Sequence, residues 1–167
     1  LFAEMRAEGI ADCVMEVSSH ALALGKVDDL AFEASVFTNL TSDHMDFHRD
    51  PEDYFAAKKK LFYLTKGASV TNLDDEYGKR LYEELKKDGK EVYGYSLKDK
   101  KADYFGEILE TTEKGSLIRA VEKQERAEML KVNTPGIFTI YNALAAMACA
   151  RSAGYSFLSI QRGLEAL

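Results

Sequence analysis

Two short stretches hold most of the side chains able to do chemistry. MEVSSHALALG (residues 15–25) is an apolar run that ends in Glu16, Ser18, Ser19 and His20, and LTSDHMDFH (40–48) crowds Asp43, His44, Asp46 and His48 into six positions around Met45 and Phe47. Oxygen and imidazole donors together suit a divalent metal, magnesium or manganese where phosphate is also bound, and a carboxylate such as Glu16 would complete the set. The same groups could instead cap the helix that follows and bond its backbone. A third candidate lies just beyond, in Lys58, Lys59 and Lys60. At about 100° per residue, Lys58 falls inside the arc of Tyr54, Phe55, Leu61 and Phe62, Lys59 lies at its edge and Lys60 points away. Lys58 is therefore expected to be buried, and a buried lysine without a partner loses hydration, so its pKa falls and the reactive neutral amine gains population. The competing expectation is a snorkelling side chain with its head in water.

These groups need elements to place them. Residues 1–9 (LFAEMRAEG) predict a helix tail closed by Gly9. ADCVMEVSS and EASVFTNL, apolar on both faces, predict central strands of a parallel sheet. DPEDYFAAKKKLFYLTKG predicts a helix capped by Asp50, started by Pro51 and ended by Gly67. The next segment repeats strand, helix (about 75–88) and strand as a βαβ unit. Residues 104–133 predict an antiparallel hairpin turning at Glu113, Lys114 and Gly115, with one further strand. TPGIFTIYNALAAMACARSAGY predicts a buried helix, which Gly154 separates from a last one. The fold class is α/β: a Rossmann-like, mostly parallel sheet flanked by helices, with a small antiparallel region near the C-terminal third. In such sheets ligands bind beyond the carboxyl ends of the strands, which makes the two polar stretches neighbours.

Composition narrows the partners. With 167 residues, 46% hydrophobic, the chain can form one domain with a sizeable core. The 22 basic and 28 acidic residues give a net charge of -6 without a basic stripe, which argues against nucleic acid or an anionic membrane as partner. Cys13 and Cys149 have no metal-ligand spacing and are expected to be buried free thiols in a reducing compartment. No run approaches a membrane span and no signal peptide opens the chain, so a soluble, cytoplasmic protein is expected, and a monomer. It begins at Leu1 and stops at Leu167 inside a helix-like run, so an incomplete piece of something longer is expected. None of the 11 glycines sits in a G-x-x-x-x-G-K-[ST] loop, which leaves a metal-like site without a triphosphate grip.

MEVSSHAL, VFTNLTSDHMDFHRDPEDYFAAKKKLF and NTPGIFTIYNALAA, in this order and at these separations, resemble the Mur ligase family, in particular its central ATP-binding domain. The resemblance covers nearly the whole chain, 1–167. It implies an ATP-dependent ligase that activates a carboxylate of a UDP-N-acetylmuramoyl dipeptide as an acyl phosphate and joins to it the third amino acid of the peptidoglycan stem, diaminopimelate or lysine. Carried over by position, Glu16 and His44 are magnesium ligands and Lys58 is a carbamylated lysine whose added carboxylate helps hold a second magnesium. Ser18 contacts the muramoyl-peptide substrate, Asn142 contacts adenine, and Asp46 and His48 orient the metal ligands from behind. Lys26 stands where the family usually has a substrate-gripping arginine, and Thr139 where an asparagine is frequent. The resemblance also implies that the phosphate loop and the amino-acid-binding domain lie outside this chain, so the fragment alone is expected not to ligate. Two other readings compete. One is a metal-dependent hydrolase built on His44, Asp46 and His48; the other is a scaffold module that keeps the fold without catalysis.

Overall fold

The computed structural model describes residues 2–41 and 47–166. Helix α1 (Phe2–Ala7) closes as expected at Gly9, which takes φ 78° so that its own N–H and that of Ile10 turn back onto the carbonyls of Arg6 and Met5. Then come α2 (Ser19–Ala23), β1 (Phe32–Phe37), α3 (Pro51–Leu64), β2 (Thr65–Asn72), α4 (Glu76–Lys87) and β3 (Val92–Ser96). β1, β2 and β3 pair in parallel through the connecting helices, the expected βαβ rhythm. β4 (Tyr104–Thr112) joins β3 in parallel, and β5 (Gly115–Glu122) and β6 (Arg126–Val132) continue antiparallel, so the sheet runs β1 to β6 in chain order. The predicted hairpin turn is there, with Thr112 paired to Gly115. Helices α5 (Ile137–Ser152) and α6 (Phe157–Glu165) complete the chain.

The sheet is covered on two faces because side chains alternate along each strand. Val36 packs into the larger core with Val70, Tyr95 and the inner side of α5, including Ile140 and Leu144. Its neighbour Phe37 points the other way, into a second core with Phe55 and Phe62 of α3 and Leu81 and Leu85 of α4. The outer surfaces of α3 and α4 are laced by Arg80 to Glu52 (2.7 Å) and Lys59 to Glu84 (3.0 Å). Helix α3 starts as the sequence predicts: Asp50 accepts the N–H of Asp53 at 2.8 Å and Pro51 opens the first turn. Asp50→Ala should therefore lower the unfolding free energy by about 1 kcal/mol, with Asp50→Ser close to neutral, in a thermal or urea melt.

The structure departs from the expectations in four places. Residues 11–18 form no strand: Val14 is 98% exposed, Cys13 is exposed rather than buried, and in the sheet β1 is bonded to β2 alone. A run apolar on both faces becomes a strand only with a partner edge and a covering layer, and among the described residues this run has neither. Helix α3 ends at Leu64, not Gly67, because Thr65 turns extended and starts β2 at once. Gly67 is instead a strand residue whose missing side chain admits the Glu33 carbonyl of β1. Cys149 is half-buried, and burial pushes its thiol pKa up. Finally, α5 is not buried throughout: in its first turn Phe138 is 77% exposed. Among the described residues no helix is long and apolar enough to cross a membrane.

Candidate active site

The carboxyl ends of β1, β2 and β3 are cross-tied by the last residue of β2 and those just after it. Asn72 donates its side-chain amide to the Thr38 carbonyl (2.9 Å) and accepts the N–H of Asp74 (3.0 Å). Asp74 accepts the Ser96 hydroxyl (2.6 Å), the Leu97 N–H (2.8 Å) and the Tyr141 hydroxyl (2.9 Å), joining β2, β3 and α5 through one carboxylate. Asp75 caps α4 by accepting the Gly78 N–H (2.9 Å), and its other oxygen accepts the N–H of Leu40 (3.2 Å), holding the chain that leaves β1. Buried beside them, the Tyr95 hydroxyl has no partner among the described residues, and burial together with these acids raises its pKa.

Onto this edge α3 delivers Lys58. The three consecutive lysines meet three different fates, as the helical arc requires: Lys59 pairs with Glu84, Lys60 reaches the Leu22 carbonyl at 3.5 Å, and Lys58 turns inward. Its ammonium sits over the rings of Tyr54 (5.2 Å) and Phe37 (5.7 Å), and its hydrogen bond to the Asn39 carbonyl is long at 3.4 Å. Half-buried rather than fully buried, Lys58 is pushed below the usual lysine pKa by desolvation, against the opposing charges of Asp75 and Glu16. Two carboxylates thus act on an amine whose hydration has been stripped. Desolvation shifts the balance towards the neutral amine, the two carboxylates oppose it, and they leave negative charge nearby for a cation.

The second wall is α2. Ser18 caps it, accepting the Ala21 N–H at 3.2 Å, and Gly25 ends it at φ 67°, where the N–H of Lys26 bonds the Ala21 carbonyl (2.9 Å). Both Ser18 and Lys26 have exposed side chains. His48 is 4% exposed, with Nε2 2.9 Å from the Ser19 hydroxyl and Nδ1 3.7 Å from an Asp53 oxygen.

Of the sequence candidates, Glu16 and Lys58 come within electrostatic reach of each other, and Ser18 and His48 are linked through Ser19. Asn142 is exposed on α5, one residue from the anchored Tyr141. His44 and Asp46 lie outside the described residues, among which no three His, Cys, Asp or Glu side chains converge as a metal site. Asp74 is not among the candidates that residue types single out, and Asp75 stands there only at the expected start of a helix. Adjacent carboxylates directly after a strand, in TNLDD, were the available signal.

Residues 1–150 match the Mur ligase middle domain. The chain is 44% identical over 147 residues (88% of its length, 30% of the relative's) to UDP-N-acetylmuramoyl-L-alanyl-D-glutamate–2,6-diaminopimelate ligase of Clostridioides difficile (strain 630). It is 42% identical over 167 residues (100% of its length, 33% of the relative's) to the protein of the same name from Alkaliphilus metalliredigens (strain QYMF). A solved structure of a ligase of that name superposes with a TM-score of 0.81 at 27% identity, covering 91% of this chain and 31% of that one. Fold and site define an α/β domain with an amine-and-carboxylate edge. The chain belongs to the Mur ligase family and corresponds to its middle domain. It spans about a third of the length of the curated relatives it matches.

Proposed function

We propose that this chain is the ATP-handling middle domain of a cytoplasmic, monomeric ligase that joins 2,6-diaminopimelate to UDP-N-acetylmuramoyl-L-alanyl-D-glutamate, the reaction named for its relatives. The observation that carries the reading is Lys58, a desolvated amine within reach of the charges of Asp75 and Glu16 at the carboxyl edge of a parallel sheet. In this reading the substrate carboxylate attacks the γ-phosphorus of ATP and ADP departs. The amine of the incoming amino acid then attacks the acyl carbon, the bond to phosphate breaks, and the nitrogen loses a proton. Chemistry of this kind is mostly positioning and charge neutralisation. Neutral Lys58 adds to carbon dioxide, forming an N–C bond and releasing a proton, and the resulting carbamate gives this edge a further carboxylate.

Glu16, His44 and carbamylated Lys58 would hold magnesium, and their oxygen and imidazole donors suit it; when bound it neutralises charge on the transferring phosphoryl group. Ser18 and Lys26 face the muramoyl dipeptide and Asn142 the adenine. The phosphate loop and the amino-acid site belong to parts of the ligase outside residues 1–167. The hydrolase reading is less well supported, because both His48 ring nitrogens face protein groups and the ring is buried.

The test is phosphate release from ATP by the uninterrupted reading frame containing these residues. Turnover should require both the muramoyl dipeptide and diaminopimelate, and residues 1–167 alone should show none. Phosphoester hydrolysis without ATP would refute the proposal.

A further inference from the structure

Within the ligase reading, and resting on it for the identity of the substrate, we infer that His48 is a positioning residue for the substrate wall: it locks the start of α2, and with it Ser18, onto α3. Helix α2 has five residues and buries only Ser19 and Leu22, so it is too short to hold its own place and depends on tertiary contacts. His48 supplies one at 2.9 Å from its Nε2 to the Ser19 hydroxyl, both residues being buried. The imidazole is itself fixed. It stacks on Tyr54 of α3 (4.8 Å between centroids, 15° between planes), meets Phe47 edge-on, and turns Nδ1 towards Asp53. In either tautomer Nε2 can share a hydrogen bond with the Ser19 hydroxyl, which both donates and accepts. Phe47 stacks in turn on His20 (3.5 Å, 24°), so the same short loop grips α2 at two successive residues directly after Ser18. Lys60 of α3 adds a longer contact, 3.5 Å, to the Leu22 carbonyl. The geometry gives His48 work on the substrate side of the site.

The experiment uses the uninterrupted reading frame with Ser19→Ala, His48→Ala, His48→Gln and the Ser19→Ala/His48→Ala pair. It measures KM for the muramoyl dipeptide and for ATP, the Mg2+ concentration for half-activation, and hydrogen exchange at the Leu22 and Leu24 amides, which bond Ser18 and His20 within α2. The two single alanine variants should each raise the dipeptide KM about tenfold, with ATP and Mg2+ requirements unchanged. The double variant should be no worse than His48→Ala alone. His48→Gln should recover most of the loss, since its amide oxygen can accept the same hydroxyl. A shifted Mg2+ requirement with an unmoved dipeptide KM, or equal losses in every parameter, would overturn the inference. A wild-type chain without turnover would sink the ligase reading alone. The exchange data would then decide: faster exchange of the α2 amides in the alanine variants supports the bracket, and unchanged protection overturns it.

Discussion

Under the proposed ligase reading, Lys58→Met in the uninterrupted reading frame should lower ligation at least about a hundredfold, the scale of losing one preorganised charge at a reacting centre, while leaving the melting temperature unchanged or raised. The two halves of this result have one cause. Lys58 sits over Tyr54 and Phe37 with a long hydrogen bond to Asn39, and desolvation holds its pKa below 10.5 despite Asp75 and Glu16. Methionine keeps the packing and removes the charge that is costly to desolvate. The pH dependence has a definite sign. Between the lowered folded value and the unfolded 10.5, the unfolded chain binds the extra proton, so this group's contribution to stability rises with pH across that window. The Met variant should flatten that rise in melts followed by circular dichroism. Ligation by the unaltered enzyme should also weaken in buffers stripped of carbon dioxide and return with bicarbonate. A Met variant that still ligates would end the assignment.

Gly78→Ala should destabilise the fold by about 2–3 kcal/mol, the opposite of what helix propensity alone predicts. Alanine inside a helix is normally favoured over glycine by roughly 1 kcal/mol. At Gly78, however, an added methyl group would run into the Asn72 carbonyl oxygen and press on the Phe37 ring. That carbonyl cannot yield easily, because Asn72 is in β2 and its side chain holds Thr38 at 2.9 Å. Overpacking against backbone of this kind costs about 1–3 kcal/mol or more beyond the propensity gain. Gly163, on α6 with open space around it, is the control: Gly163→Ala should gain up to about 1 kcal/mol. The two variants should therefore move the urea midpoint in opposite directions, and a stabilised Gly78→Ala would show that β2 and α4 can separate at no cost.

Much of this could be read from residue types because the signals were local. Asp50, Pro51 and the apolar arc of α3 set both the helix and the inward direction of Lys58, and Glu113–Gly115 set the hairpin. What could not be read depended on what lies opposite. ADCVMEV has a strand's composition, but composition cannot say whether a partner edge is present. Gly67 looked like a helix stop because nothing in the chain announces that Glu33 passes close by. Asp74 and Asp75 stayed hidden as functional groups for the same reason, since their partners Ser96, Leu97, Tyr141 and Leu40 converge only in three dimensions. The histidine at 48 could be placed near the site, but its partners Ser19 and Tyr54 could not be foreseen.

Asp74 fastens Tyr141 of α5 to the ends of two strands, so the neighbouring Asn142 and the sheet rim translate as one piece. Among the described residues helix α2 has no such fastening to the sheet and rides on side chains of α3 and of the segment before it. Any relative movement of these parts is therefore concentrated on α2, which under the proposed reading is the peptide flank, with α5 and the sheet rim staying fixed.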